Sequence, residues 1–208
     1  MVILRRENMR KTLSVVLAAA ALFGGAAISN GAANAYDRWD TPRYTVGTCD
    51  RQGVWDGVQY EVCKVTPQYA GASEREYAFA YGLTDEAKNN YWDITIHSTY
   101  ASKDVIQIGR YGSLTEGAKE LRNVNIEAKD AISGFYIDDN EFKTGTRINE
   151  NAFAGKKLEN VNISGSAFVG KNAFNGAYAN VWKHSNSGDK GYIRVAEEGA
   201  FDTCTVSD

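Results

Sequence analysis

Leu121–Ile126, LRNVNI, returns almost unchanged as Leu158–Ile163, LENVNI, and the second copy follows Asn151–Gly155, NAFAG, which itself returns as Asn172–Gly176, NAFNG. The chain is built from repeats. Units of this size cannot bury their own apolar face singly and must stack on neighbours to make a core, and stacked units present broad surfaces more readily than deep clefts. The first place to look for function is therefore a surface.

Working outward, Ile148 precedes Phe153 by the same five residues that separate Val169 from Phe174, and Phe153 to Phe174 is a step of 21. A looser unit runs from Val195 through Gly199 and Phe201 to Cys204. In each Ala-Phe pair the small residue lets a turn close and the ring fills the layer beneath it. Leu-x-x-Val-x-Ile sends its three apolar residues to a common core, with the asparagines between them pointing elsewhere. Asp93–Ile96 and Val105–Ile108 alternate as strands do, and Ser113–Glu116 reads as a capping box opening a short helix to Lys119 or Glu120. From Tyr36 to Tyr91 there is no copy of the repeat; Arg43–Thr48, Val58–Val65 and Glu76–Gly82 read as strands, and Leu83–Asn90 as a short helix.

The first 35 residues carry Arg5, Arg6, Arg10 and Lys11, then an uncharged run from Leu13 to Ile28, then small residues to Ala33-Asn34-Ala35. That order is a secretory signal peptide cleaved before Tyr36; a membrane-spanning helix needs about 20 apolar residues. The leader holds four of the 23 bases and one of the 26 acids, which leaves the other 173 residues with 19 against 25 and a net charge near −6. An acidic exported chain with no basic run argues against nucleic acid and against electrostatic attachment to an anionic membrane, and no second hydrophobic span follows. Residues that are 43% hydrophobic and 12% aromatic exclude a largely disordered protein, while two prolines and many short Val, Ile, Tyr and Thr runs favour strands joined by turns.

Cys49 and Cys63 flank Asp56-Gly57, a hairpin turn signal between strand-like segments. A two-residue loop there pairs positions summing to 113 and the cysteines sum to 112, so they face each other after a one-residue bulge or with a three-residue loop. A disulfide fits the exported context and closes a loop worth about 3 kcal/mol on the chain-entropy model. Cys204 is then a free, packed thiol, and three thiols with two histidines do not make a zinc spacing.

Taken together, Ile148, Asn151-Ala-Phe153, Gly155, then Leu158, Val161 and Ile163 resemble the BspA-type leucine-rich repeats of secreted and cell-surface bacterial proteins. The likeness covers roughly residues 92–208. Asn180–Lys183 with the Ser/Asn/Gly stretch after it resembles a degenerate closing unit, and Asp56–Val62 resembles the strand that precedes a first repeat. The resemblance implies a mainly β chain: a short right-handed leucine-rich-repeat solenoid of three or four units over 92–208, one parallel sheet on one side and short helical or irregular turns on the other, preceded by a small β-rich segment over 36–91. It implies adhesion or recognition, and no catalytic residues. The chain departs from the pattern where Lys156 and Ala177 replace the cysteine kept only as Cys204, where Leu114-Thr115 stands for Ala-Phe, and where Asp130–Gly145 is inserted.

No Gly-x-Ser-x-Gly, His-Glu-x-x-His or phosphate loop occurs, so catalysis, cofactors and a resident metal are not expected. His97 reads as a surface or hydrogen-bonded histidine. Asp138–Glu141 has clustered oxygens without the glycine and periodicity of a calcium loop and reads as a solvated turn. The candidates for ligand binding are the outward residues of the repeat strands, Arg122, Asn123 and Asn125 with Glu159, Asn160 and Asn162, and an aromatic anchor at Trp182 with Tyr178 and His184. The asparagines also read as simply soluble strand or turn residues, or as an internal ladder, and Trp182 as packing on a terminal layer. The partner expected is an extracellular protein or a glycan, with self-association as the structural alternative.

Overall fold

The computed structural model describes residues 44–67, 72–129, 132, 136–137, 142–143, 145–184 and 193–207; the expected leader 1–35 and the Asp138–Glu141 turn lie outside them. The chain enters as strand β1, Tyr44–Trp55, turns at Asp56-Gly57 and returns as β2, Val58–Pro67. Both turn residues have positive φ, 49° and 76°, as the tight hairpin turn that matches strand twist requires. Trp55 pairs with Val58 and Arg51 with Val62, but Cys49 with Cys63, so Asp50 is the one-residue bulge, and the two cysteines are joined by a disulfide.

Strand β3, Arg75–Leu83, lies antiparallel to β2. Helix α1, Asp85–Asn90, follows and is the one helix among the described residues. The Thr84 hydroxyl caps it by accepting from the Ala87 N–H at 3.1 Å. Thr84→Ala is expected to lower stability by about 1 kcal/mol, read as an unchanged urea m-value with a lower midpoint.

From there the chain alternates between two sheets. Strands β4 (Asp93–Ile96), β7 (Asn123–Glu127), β11 (Asn160–Ser164), β13 (Asn180–His184) and β15 (Thr205–Ser207) form a five-stranded sheet in which every pairing is parallel. Strands β6 (Lys103–Ile108), β10 (Thr146–Ile148), β12 (Ala167–Val169) and β14 (Ile193–Ala196) extend β1–β3 in parallel pairings, and with β5 (Thr99–Tyr100) they complete an eight-stranded mixed sheet. A two-stranded hairpin, β8 (Tyr136–Ile137) and β9 (Phe142–Lys143), stands apart.

This architecture corrects the expected leucine-rich-repeat solenoid. The segments expected as helical or irregular turns opposite a single sheet are strands: Thr146–Ile148 and Ala167–Val169 are β-branched or aromatic at most positions, and their backbones pair with β6, with each other and with β14. The helix expected from Ser113 does not form either. Gly112 and Gly117 bracket the segment with φ of 117° and 76°, outside the helical region, and successive turns replace it.

One core lies between the sheets. It takes Ile94, Ile96, Val124, Ile126, Val161, Ile163 and Val181 from the parallel sheet and Val58, Tyr60, Ala78, Ala80, Val105, Ile148 and Val169 from the mixed one. A second cluster on the opposite face of the mixed sheet joins Cys63, Val65, Tyr77, Phe79 and Ile106 to Ile132 of the inserted segment. The repeated Asn-Ala-Phe-x-Gly is explained by the turns: Asn151 and Asn172 take φ of 58° and 55°, Gly155 and Gly176 φ of 74° and 80°. Asparagine and glycine are the residues that tolerate that region. The turns stack through backbone hydrogen bonds, Leu114 to Ala152, Phe153 to Ala173 and Phe174 to Ala200. Leu114 therefore occupies the phenylalanine position of the first layer. The rings follow the strand spacing of about 4.8 Å, with Phe153–Phe174 centroids 4.8 Å apart and Phe174–Phe201 5.3 Å apart.

Candidate functional site

In the parallel sheet the buried residues alternate with residues that must face away from the core. Register stacks the outward ones into two columns. One runs Asp93, Asn123, Asn160, Asn180, Thr205, and the other Thr95, Asn125, Asn162, Trp182, Ser207. The asparagines thus face outward and form a ladder as well. Asn123 Nδ2 donates to Asp93 Oδ1 at 2.5 Å, Asn160 Nδ2 to Asn123 Oδ1 at 2.9 Å and Asn162 Nδ2 to Asn125 Oδ1 at 2.8 Å. A primary amide has two N–H donors and an oxygen with two lone pairs, and each rung uses one donor of one residue and one lone pair of the next. The rungs fix the side chains of the row.

Trp182 continues the second column beside Asn162, with 42% of its surface exposed. At the entry to the strands, Arg122 Nη1 meets Glu159 Oε1 at 3.1 Å, and the guanidinium lies 4.4 Å from the Trp92 ring centre. The two charges expected at the site are matched to each other. Tyr178 is 66% exposed on the turn before β13, two residues ahead of the first column, with its N–H directed to Thr203 Oγ1 at 3.4 Å. His184 ends β13 opposite Ser164; its side chain lies outside the described residues. The four asparagines and Trp182 are therefore brought onto one face, while Tyr178 is at its margin.

Two polar clusters were not legible as such. The His97 ring lies between the Asp56 and Glu127 carboxylates, at 2.9 and 3.0 Å, stacked on Trp55 with centroids 3.7 Å apart. Its backbone N–H donates to the Tyr60 hydroxyl at 3.1 Å, and burial pushes the Tyr60 phenol well above its usual range. His97 thus joins the hairpin tip to the end of β7. On the other sheet, Arg110 Nη1 reaches Glu61 Oε1 at 2.6 Å, and the Tyr111 hydroxyl donates to the same oxygen at 2.9 Å. Cys49, Glu61 and Cys63 converge as metal ligands can, but the sulfurs are bonded to each other and Arg110 occupies the carboxylate. No local sequence signal marks either group, because strand pairing alone brings residues 41, 30 and 49 positions apart together.

A cleft of about 380 Å³ is lined by Arg75, Glu76, Tyr77, Ser102, Lys103 and Asp104. The Lys103 ammonium, 3.0 Å from Glu76, holds that carboxyl below its usual range, and Lys129 pairs with Asp104 at 3.1 Å. Both carboxylates of the cleft are thus ion-paired. No helix among the described residues is long and apolar enough to cross a membrane. Neither a family model, nor a curated protein, nor a solved structure matches this chain.

Proposed function

We propose that this is an exported, non-catalytic binding protein that takes an extended extracellular polymer, a neutral glycan in the first instance, across the outward face of its parallel sheet. The observation that carries the reading is the second column: Thr95, Asn125 and Asn162 lead directly to an exposed indole, Trp182. Hydroxyls and amides at the strand spacing of about 4.8 Å suit a chain of hydroxyl-bearing rings lying across the strands, and an indole suits the apolar face of one ring. Internal pairing of Arg122 with Glu159 leaves little at the strand entry to select a charged peptide. The leader supports export, and the Cys49–Cys63 disulfide is consistent with an oxidising compartment.

The test is retention of the purified protein on an array of neutral and charged polysaccharides and extracellular-matrix proteins at physiological salt. Trp182→Ala is expected to weaken retention on a neutral polysaccharide at least tenfold, about 1.4 kcal/mol, and Asn125→Ala/Asn162→Ala to weaken it further. Retention that ignores all three changes refutes the assignment.

Self-association is the second reading, favoured by one observation. Val206 stands in the inward column with Val181, Val161, Val124 and Ile94, yet is 43% exposed. A concentration-dependent sedimentation coefficient abolished by Val206→Lys would support it.

A further inference from the structure

The Cys49–Cys63 disulfide sits in surroundings that a bond serving only as a staple does not need. Arg110 Nη1 lies 3.2 Å from Cys49 Sγ and 3.0 Å from Cys63 Sγ. Disulfide sulfurs are weak acceptors that require no cation, whereas a thiolate is stabilised by an adjacent guanidinium. The guanidinium is itself held in place. One of the two Nη1 hydrogens serves Glu61, which is 3% exposed, leaving the other for the sulfurs, and the plane lies 4.7 Å from the Phe79 ring centre and 5.1 Å from that of Tyr111. Packed among rings, a charge acts on the sulfurs more strongly than it would in water.

The two sulfurs are unequal. Cys49 is partly exposed on β1, and the ladder to β2 shifts register on both sides of it. Cys63 is 1% exposed in the middle of β2. An incoming nucleophile therefore meets Cys49, and the sulfur it displaces is the one closest to Arg110.

We infer that Cys49–Cys63 is a reactive disulfide that exchanges with an external dithiol. A thiolate of the dithiol attacks Cys49 Sγ; the Cys49–Cys63 bond breaks, and its electron pair leaves on Cys63 as a thiolate held by Arg110. The second thiol of the reductant, deprotonated, attacks the mixed disulfide at the reductant's own sulfur and releases Cys49. The protein gains two electrons and ends as two thiols once protons return from solvent, and the dithiol ends as a cyclic disulfide. The exchange opens the covalent tie across the β1–β2 hairpin and is independent of the glycan reading.

The experiment is a redox titration of the folded protein with reduced and oxidised dithiothreitol, without denaturant, read by alkylation and peptide mass spectrometry. Wild type is compared with Glu61→Gln and with Glu61→Gln/Arg110→Met, and circular dichroism checks the fold of each. Wild type is expected to be reduced without unfolding and, in a parallel incubation with glutathione as a monothiol, to trap the adduct on Cys49. Glu61→Gln removes the anion that competes for Arg110 and is expected to make reduction easier by at least tenfold, about 30 mV; the double variant, lacking the cation, is expected to shift the midpoint the opposite way. If the double variant does not fold, Glu61→Gln decides alone. Coincident midpoints, an adduct on Cys63, or reduction only in denaturant overturns the proposal.

Discussion

Phe174→Ala is expected to lower the free energy of unfolding by about 3–5 kcal/mol, the range for deleting a fully buried ring. Phe174 has no exposed surface and lies between two parallel rings, Phe153 on one side and Phe201 on the other. Truncation leaves a cavity whose walls belong to two different turns. Those turns are tied by backbone hydrogen bonds on both sides, so the site collapses poorly. Phe201→Ala should cost less, because Phe201 remains partly exposed at the end of the stack, and Tyr178→Ala, on an exposed ring, should stay within about 0.5 kcal/mol. Urea denaturation of the three variants gives the gradient. Equal losses at Phe174 and Phe201 would mean that the rings do not form successive layers.

Arg110→Met should be as damaging for a different reason. The Glu61 carboxylate is nearly inaccessible and takes its strongest hydrogen bond from Arg110 at 2.6 Å. Removing one partner of a buried ion pair leaves the other charge unpaired, at a cost of about 3–5 kcal/mol. Adding Glu61→Gln removes the stranded charge and should recover most of the loss. Without such recovery in the double variant, the damage lies in lost packing of the guanidinium against Phe79 and Tyr111, not in charge. The double variant is also one of the proteins in the redox titration, so its stability and midpoint are read on the same material.

The hairpin was legible because its rule is local. Asp56-Gly57 fixes the register, and a sum of 112 against 113 locates the bulge that brings Cys49 opposite Cys63. The inward Val and Ile of LRNVNI and LENVNI were legible for the same reason, since a period of two over five residues suffices. The second sheet was not. Thr146–Ile148 and Ala167–Val169 are three residues long, too short for a period to separate strand from turn, and what makes them strands is backbone pairing with β6, with each other and with β14. Of the candidate site, the outward direction of the asparagines followed from the alternation of the strand, whereas the bonds between them, on the outward face and not inside the core, depend on the strand register. Trp182 falls in column with Asn162 only through the pairing of β11 and β13, which identical spacing in a repeat suggests but cannot fix across the differing turns.

The most direct measurement is oxidative footprinting of the exposed aromatics on the protein bound to whichever polymer of the array retains it. Trp182, Tyr178, Trp92, Trp55 and Tyr111 all present large exposed surfaces and serve as one another's controls. Protection of Trp182, extending to Tyr178 or Trp92 while Trp55 and Tyr111 stay reactive, is the expected result for a ligand laid along the asparagine columns. Protection confined to Trp55 or Tyr111, with Trp182 as reactive as in the free protein, would move the binding site off the parallel sheet and contradict the assignment.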